Sequence, residues 1–343
     1  MRVLVTGGSG YVGSHTVRAL SAAGHEVLIL DNLSTGHPYL SSGFPLIQAD
    51  ISDFETVSRT LYDVDAVMHF AASAYVGESV QNPRKYIRNN IESAVRFLDA
   101  VLASTVRLFI FSSTCAVYGM PAQLPIREDA PKEPINLYGE TKLFFERVLA
   151  AYNTSQSLRY VALRYFNAAG AHPDGSIGEI HNPETHLIPL ALKAVLGTAP
   201  PLQVFGNTFD TPDGTCIRDF IHVSDLAAAH VRALEYLQSG GESTSLNLGS
   251  GCGVSVKQAL EVVTRITGRS VPHVLTDPRP GDPPVLYADS SRSKQVLGWQ
   301  PMRQFDEMVS SAWLWERRLQ HLNLQQRERC NVLHDRSCSN VKS

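Results

Sequence analysis

The sequence predicts an α/β fold: a doubly wound parallel sheet followed by a smaller, irregular C-terminal substrate lobe. Three observations point there. Short β-rich apolar runs alternate with longer amphipathic stretches through the first half, and a glycine-rich turn joins the first run to the first such stretch. Near Asn167 the alternation stops, and proline- and glycine-rich stretches take over. The runs at residues 3–5, 27–30, 66–70, 108–111 and 160–163 are continuously apolar, as befits strands buried on both faces. The stretches 12–22, 84–103 and 138–152 carry apolar residues at helical spacing. Parallel neighbours need crossover connections, so this order dictates helices on both faces of one sheet. Ligands of such sheets bind outside the carboxyl ends of the strands.

At 343 residues the chain suits two lobes, given ~100–200 residues per domain. Residues 1–166 are expected to form a dinucleotide-binding domain, to which segments around 219–250 return, and 167–319 the substrate lobe. Residues 320–343 are polar and aperiodic, with the run Gln325-Gln326-Arg327-Glu328-Arg329, and are expected to be disordered. A hydrophobic share of 43% excludes wholesale disorder, and a net charge of −3 without a long basic run gives nucleic acid no footing. No stretch approaches the ~18 apolar residues of a membrane span. Met1-Arg2 leads straight into a strand pattern rather than a signal peptide, so a cytoplasmic protein is expected. Cys115, Cys216, Cys252, Cys330 and Cys338 are scattered and lack metal-ligand spacing; reduced thiols and no metal are expected.

Val3-Leu4-Val5-Thr6 runs into Gly7-Gly8-Ser9-Gly10-Tyr11-Val12-Gly13, which opens a helical pattern. Gly7, Gly10 and Gly13 supply a tight turn, close backbone approach to a pyrophosphate and close helix packing, while the helix N-terminus faces the anion. The second run ends in Asp31, near the offset where an acid meets ribose hydroxyls. A carboxylate there repels a 2′-phosphate, and no arginine immediately follows, so NAD is expected over NADP.

Tyr138-Gly139-Glu140-Thr141-Lys142 begins another helical pattern, and four-residue spacing sets Tyr138 and Lys142 on one face. A free phenol, with a pKa near ~10, is a poor base at neutral pH. A neighbouring ammonium and the positive nicotinamide are expected to lower that value. The fifth run ends in Phe111-Ser112-Ser113-Thr114-Cys115-Ala116-Val117-Tyr118-Gly119, placing hydroxyls at the sheet's carboxyl edge. Ser112 and Ser113 equally serve as strand-end hydroxyls bonding backbone; Thr114, beside the sharp turn, is the choice to hold a substrate oxygen.

The glycine spacing GxxGxxG, the strand-end hydroxyl and YxxxK occur in that order on the expected elements, and together they resemble the extended short-chain dehydrogenase/reductase family. Within it the chain is similar to the UDP-glucose 4-epimerases from Met1 to about Leu319. His69-Phe70-Ala71-Ala72, Val76-Gly77-Glu78-Ser79-Val80, Arg164-Tyr165-Phe166-Asn167, the stretch from Asp213 to Val223 and Arg279-Pro280-Gly281-Asp282 carry that likeness. The resemblance implies a Rossmann sheet, an NAD-dependent isomerase, a UDP-sugar substrate and a homodimer. It implies catalytic roles for Thr114, Tyr138 and Lys142. It implies cofactor contacts from Gly7, Gly10, Tyr11, Val12, Gly13, Asp31, Asn32, Asp50, Ile51, Phe70, Ala71, Ala72, Asn89, Ser112, Tyr138, Lys142 and Tyr165. Substrate contacts fall on Thr114, Tyr138, Asn167, Leu187, Phe205, Arg218, Arg279 and Asp282. Two arginines from different loops suit a diphosphate, since each presents a planar fork.

Four positions depart from the family pattern. Thr114 stands where serine is usual, Ala74 where many members carry lysine, His186 where many carry asparagine, and Leu286 where residue size governs the sugar admitted. A dehydratase or decarboxylase on the same fold needs acid/base groups immediately after the catalytic hydroxyl, and Cys115 and Ala116 do not supply them. A 4-epimerase for an N-acetylhexosamine, pentose or uronate stays open, as does a non-catalytic NAD-binding sensor, though such sensors typically lose the tyrosine or lysine.

Overall fold

Alternating side-chain direction splits each buried strand between two cores. The computed structural model describes residues 1–279 and 282–339, with side-chain surroundings as far as residue 322. In β1 (Arg2–Thr6), Val3 and Val5 join one core and Leu4 the other. The same split recurs in β2 (Glu26–Asp31), where Ile29 faces the first core and Leu28 and Leu30 the second. With β3 (Leu46–Gln48), β4 (Ala66–His69), β5 (Leu108–Thr114) and β6 (Arg159–Tyr165), these strands build one parallel sheet. Burying one such Val or Leu is worth ~1.5–3 kcal/mol, so both cores commit the register.

The crossovers are α1 (Tyr11–Ala22), α2 (Phe54–Thr60), the short α3 (Val76–Gln81) and α4 (Pro83–Tyr86), α5 (Ala94–Ala103) and α6 (Leu137–Gln156). The helix expected over 84–103 is interrupted: α4 passes into a π-helix at Ile87–Ser93 before α5 begins. Widening that turn sets Asn89 and Asn90 toward the sheet's carboxyl edge, an adjustment apolar periodicity does not reveal.

After β6 the chain enters β7 (Asn167–Ala169), α7 (Leu187–Leu196), β8 (Leu202–Phe205) and β9 (Ile217–His222). It returns to the main sheet through α8 (Val223–Gln238) and β10 (Thr244–Leu248), giving the order β10-β6-β5-β4-β1-β2-β3. It then runs through β11 (Gly253–Ser255), α9 (Val256–Thr267), β12 (His273–Thr276), β13 (Val285–Leu286), α10 (Ser291–Leu297) and α11 (Phe305–Ser339). The region expected as loops and short helices thus holds two small sheets, β7, β9, β11 and β13 in one and β8 with β12 in the other. Their strands span two to six residues, too short for a detectable period.

The last helix, α11, runs to Ser339, through part of the stretch for which the sequence led us to expect disorder. From Met302 to the end the chain contains neither glycine nor proline, so nothing interrupts the helix that Phe305 begins. Residues 340–343 lie outside the described residues.

Gly13 sits where α1 crosses the glycine turn, and a Cβ there would overlap the Gly7 carbonyl oxygen and lie 3.0 Å from the Gly8 Cα. Both neighbours are backbone, so Gly13→Ala forces the turn open. Its expected cost is ~1–3 kcal/mol, measured as a lower urea midpoint; an unchanged midpoint would show that the turn relaxes freely.

Candidate active site

The glycine turn fits a dinucleotide on its own geometry. Gly7 takes φ +71°, and a Cβ on it would sit 2.7 Å from the Ala71 amide, so the turn lies directly against the Phe70-Ala71 segment after β4. Gly10 caps α1 without a side-chain bond, and the first turn carries no acid, which leaves the helix N-terminus suited to an anion. Asp31 ends β2 nearly buried, one oxygen accepting from Ser9 N at 2.9 Å and the other from Leu33 N at 2.8 Å. Two bonds leave acceptor capacity for ribose hydroxyls. Burial nevertheless pushes this carboxyl up, with the two backbone bonds opposing.

Other expected cofactor residues are placed less simply. Asn32 donates to Asp50 at 2.8 Å, and Asp50 also accepts from Ser52, tying two strand ends into one rim. Ile51 is buried in the second core, so its side chain is packing and only its backbone faces outward chemistry. The Tyr11 hydroxyl donates to Gly170 O at 2.6 Å, fastening the first turn of α1 to the loop after β7. Asn89 donates to Ser73 Oγ at 3.1 Å. The structural asparagine is its neighbour: buried Asn90 accepts from Ser73 N at 2.8 Å and donates to Ser73 O and to Thr141 Oγ1 of α6. Sequence reasoning singled out Asn89 and passed over Asn90, because the π-turn that rotates Asn90 inward leaves no mark in the pattern.

Three local devices bring Tyr138 to the end of β5. Asn136 caps α6, accepting from Gly139 N at 2.9 Å, and so fixes Tyr138 in the first turn. A Cβ on Gly139 would lie 2.6 Å from Ala116 O, so only glycine lets the helix press this closely on the turn after β5. Thr114 caps that turn, its Oγ1 accepting from Ala116 N at 3.1 Å. Alternation along β5 sends Ser112 and Thr114 one way and Ser113 the other. Ser112 bonds the Tyr165 hydroxyl, while Ser113 turns back to Glu146.

Lys142 Nζ lies 5.9 Å from the Tyr138 ring centroid and donates to Ser112 O at 2.8 Å. Burial pushes this ammonium down to about 7, with Glu146 opposing. Burial, and then Tyr165, push the Tyr138 phenol up, with the Thr114 hydroxyl opposing. The expected lowering of the phenol is therefore not produced by Lys142 within the protein alone, because desolvation exceeds the pull of one nearby cation. Cys115 is likewise pushed up by burial, to about 12, and stays a thiol.

Behind this group lies an ion pair that sequence reasoning missed. Glu146 falls one turn beyond Lys142 on α6, and Arg164 projects from β6 with Nη2 at 2.5 Å from Glu146 Oε2; both side chains are at most 5% exposed. Arg164 Nη1 donates to the Tyr118 hydroxyl at 2.8 Å, which donates to Asn247 at 2.6 Å. The signals were an arginine inside an apolar strand run and an acid eight residues from Tyr138.

Four expected substrate residues, Phe205, Arg218, Arg279 and Asp282, lie together. Arg279 Nε donates to Asp282 at 2.8 Å, and its guanidinium stacks 4.8 Å over the Phe205 ring. Arg218, on β9, reaches the same carboxylate at 3.9 Å. Buried Asp219, beside Arg218, accepts from Ser250 N, Gly251 N and Ala288 N and fixes this strand against the returning loops. Asn167 donates to Asp219 O at 2.8 Å, and Leu187 opens α7. Leu286 pairs in register with Arg218, which sets it beside the same group.

Two measurements test this geometry. Glu146→Gln leaves a buried guanidinium without its counter-charge and is expected to cost ~3–5 kcal/mol in urea unfolding; a loss under ~1 kcal/mol would place the pair among weak surface contacts. Lys142 holds its proton less tightly folded than unfolded, falling from 10.5 to about 7. The unfolded state then binds more protons across that window, and wild-type stability rises with pH there. The difference in unfolding free energy between Lys142→Met and wild type should move in the wild type's favour from pH ~7 to ~10; a difference flat with pH would contradict this.

Known proteins resemble this chain over most of its length. The model for the NAD dependent epimerase/dehydratase family matches residues 3–249. A UDP-glucose 4-epimerase from Azospirillum brasilense is 49% identical over 323 residues, covering 93% of each chain. The UDP-glucose 4-epimerase from Brucella ovis, solved with NAD, superposes with a TM-score of 0.89 at 48% identity, over 91% of this chain and 97% of that one. The Bifidobacterium longum enzyme, solved with NAD+ and UDP, also gives 0.89, at 35% identity over 93% and 98%. The glycine turn, the Tyr138–Lys142 helix and a match spanning most of the sequence lead to one conclusion: this chain belongs to the NAD dependent epimerase/dehydratase family.

Proposed function

We propose that this chain interconverts UDP-glucose and UDP-galactose by transient oxidation at sugar carbon 4, with NAD tightly bound. The observation that carries this reading is the placing of Tyr138. It opens α6 beside the carboxyl end of β5, one turn from Lys142, whose Nζ lies 5.9 Å from its ring centroid and donates to Ser112 O at 2.8 Å. Bound NAD supplies the hydride acceptor and donor and a positive ring beside the phenol. Every other part of the work falls to the chain.

Tyr138 takes the carbon-4 hydroxyl proton while Thr114 holds that oxygen, and it returns the proton to the oxygen after the sugar has turned. Lys142, fixed through Ser112 O, adds positive charge next to the phenol. Gly7, Gly10, Tyr11, Val12 and Gly13 cradle the pyrophosphate. Asp31 takes the adenosine ribose, with Asn32, Asp50 and Ile51 along the adenine side. Phe70, Ala71, Ala72, Asn89, Ser112 and Tyr165 line the remainder. Arg218 and Arg279 hold the diphosphate, and Asn167, Leu187, Phe205 and Asp282 position the nucleotide. Residues 1–166 with 219–250 form the NAD-binding domain and 167–319 the substrate lobe. The family resemblance supports a cytoplasmic homodimer, and no helix among the described residues is long and apolar enough to cross a membrane.

Tyr138→Phe keeps the ring's packing and removes the proton carrier. Turnover of UDP-galactose is expected to fall by ~10²–10⁴-fold while UDP still binds; wild-type turnover would refute the assignment. Run across UDP-hexoses, UDP-N-acetylhexosamines, UDP-pentoses and UDP-uronates, the same assay separates the hexose reading from its relatives, with Leu286 as the residue setting the admitted size.

A further inference from the structure

Apart from the catalytic group, a single loop collects four metal-binding side chains. Glu179, His181, Glu184 and His186 follow the spacing E-x-H-x-x-E-x-H, immediately before Leu187 opens α7. His181 Nδ1 lies 2.8 Å from Glu179 Oε1, and His186 Nδ1 lies against the same oxygen. The Oε1 of Glu184 is 3.4 Å from His186 Nδ1 and 3.8 Å from His181 Nδ1. All four donor atoms fall within 4.8 Å of one another. Bonds of ~2.0–2.2 Å in tetrahedral zinc sites put neighbouring donors roughly 3.3 Å apart. The spacings found bracket that value.

His186 Nδ1 is hydrogen-bonded to Glu179 Oε1, but hydrogen bonding does not account for His181. Both rings turn the same nitrogen toward one carboxylate oxygen. His181 Nδ1 is sealed from solvent yet stands off the direction of any hydrogen bond. The surroundings hold the donors in place. Trp315 Nε1 donates to Glu179 O at 2.8 Å, and the backbone amides of Thr185 and His186 bond Glu184 Oε1 at 2.8 and 3.0 Å. The rings of Tyr75 and Tyr11 present edge-on contacts to His181 at 5.5 and 6.3 Å. Lys193 Nζ stands beside the cluster, 3.5 Å from Glu184 and 3.8 Å from Glu316.

We propose that Glu179, His181, Glu184 and His186 form a binding site for a divalent metal of the zinc type. Imidazole and carboxylate together suit zinc, and a closed set of four protein ligands makes the site structural. Cysteine spacing gave no metal because these donors are histidines and glutamates of one loop. The metal would pin residues 179–186 against Tyr11 and Tyr75 and so fix where α7 begins. The proposal stands apart from the epimerase reading, and its test uses no activity.

The NAD-loaded protein is cleared of metal with a chelator and titrated with Zn2+ by calorimetry, and in parallel with Co2+ by visible spectroscopy. Wild type is expected to take up one equivalent more Zn2+ than His186→Asn and His181→Asn, or to bind that equivalent at least ~10-fold more tightly. Its Co2+ complex should show the intense visible bands of a four-coordinate ion, absent from both variants. His186 is half exposed, so His186→Asn tests the site even if changes at buried Glu179 disturb folding. Equal Zn2+ uptake by wild type and both variants, or no uptake by wild type, would overturn the proposal.

Discussion

The buried contact between Glu146 and Arg164 is the constraint on which the site's geometry depends. Withdrawing two full charges from water is expensive, and the pair persists because nearly every lone pair and proton is used. Glu146 Oε1 receives Ser113 Oγ and Arg164 Nε, while Oε2 receives Arg164 Nη2. The network continues through Tyr118 and Asn247 to Ile126 O. A single interaction therefore joins α6 to β5, β6 and β10. Glu146, Lys142 and Tyr138 repeat every four residues, so a carboxylate locked at the back of the helix sets the azimuth of the two groups in front. A rotation of α6 that moved the phenol away from the end of β5 would also break a satisfied buried charge.

Burial also sets the electrostatics. The sequence suggested a phenol kept acidic by its lysine, but the enclosed site raises Tyr138 and depresses Lys142. Both shifts have one origin, the loss of water around a charged form. A lysine lowered to about 7 carries its charge only part of the time at neutral pH, so it cannot alone hold a phenolate.

How much of this was legible follows from where each signal lives. Buried strands and the turn at Gly7–Gly13 are local, written in consecutive residues, and the sheet follows from them. Tyr138 and Lys142 are also local, since one helix carries both. Residues that act across elements left weaker marks. Asn90 differs from Asn89 only by a π-turn, and Asp219 shows its role only when Ser250, Gly251 and Ala288 are brought to it. Arg164 announced itself as a charge within an apolar strand, a sign that demands a partner without naming one.

The two groups of expected site residues, one around Tyr138 and one around Arg279, differ in exposure. Around Tyr138, Thr114, Lys142, Glu146 and Arg164 are all at most 7% exposed, on strands or a strand-facing helix. Their positions are over-determined, as proton transfer over a hydrogen-bond length requires. In the other group Arg279 is 57% exposed and borne on a loop, held by Asp282 and by stacking on Phe205. Charge there can close on a diphosphate, whose strength comes from bidentate bonds and not from a rigid pocket. Under the proposed function, binding energy concentrated on the nucleotide would leave the sugar few directional contacts, so that one phenol could meet the carbon-4 oxygen on either approach.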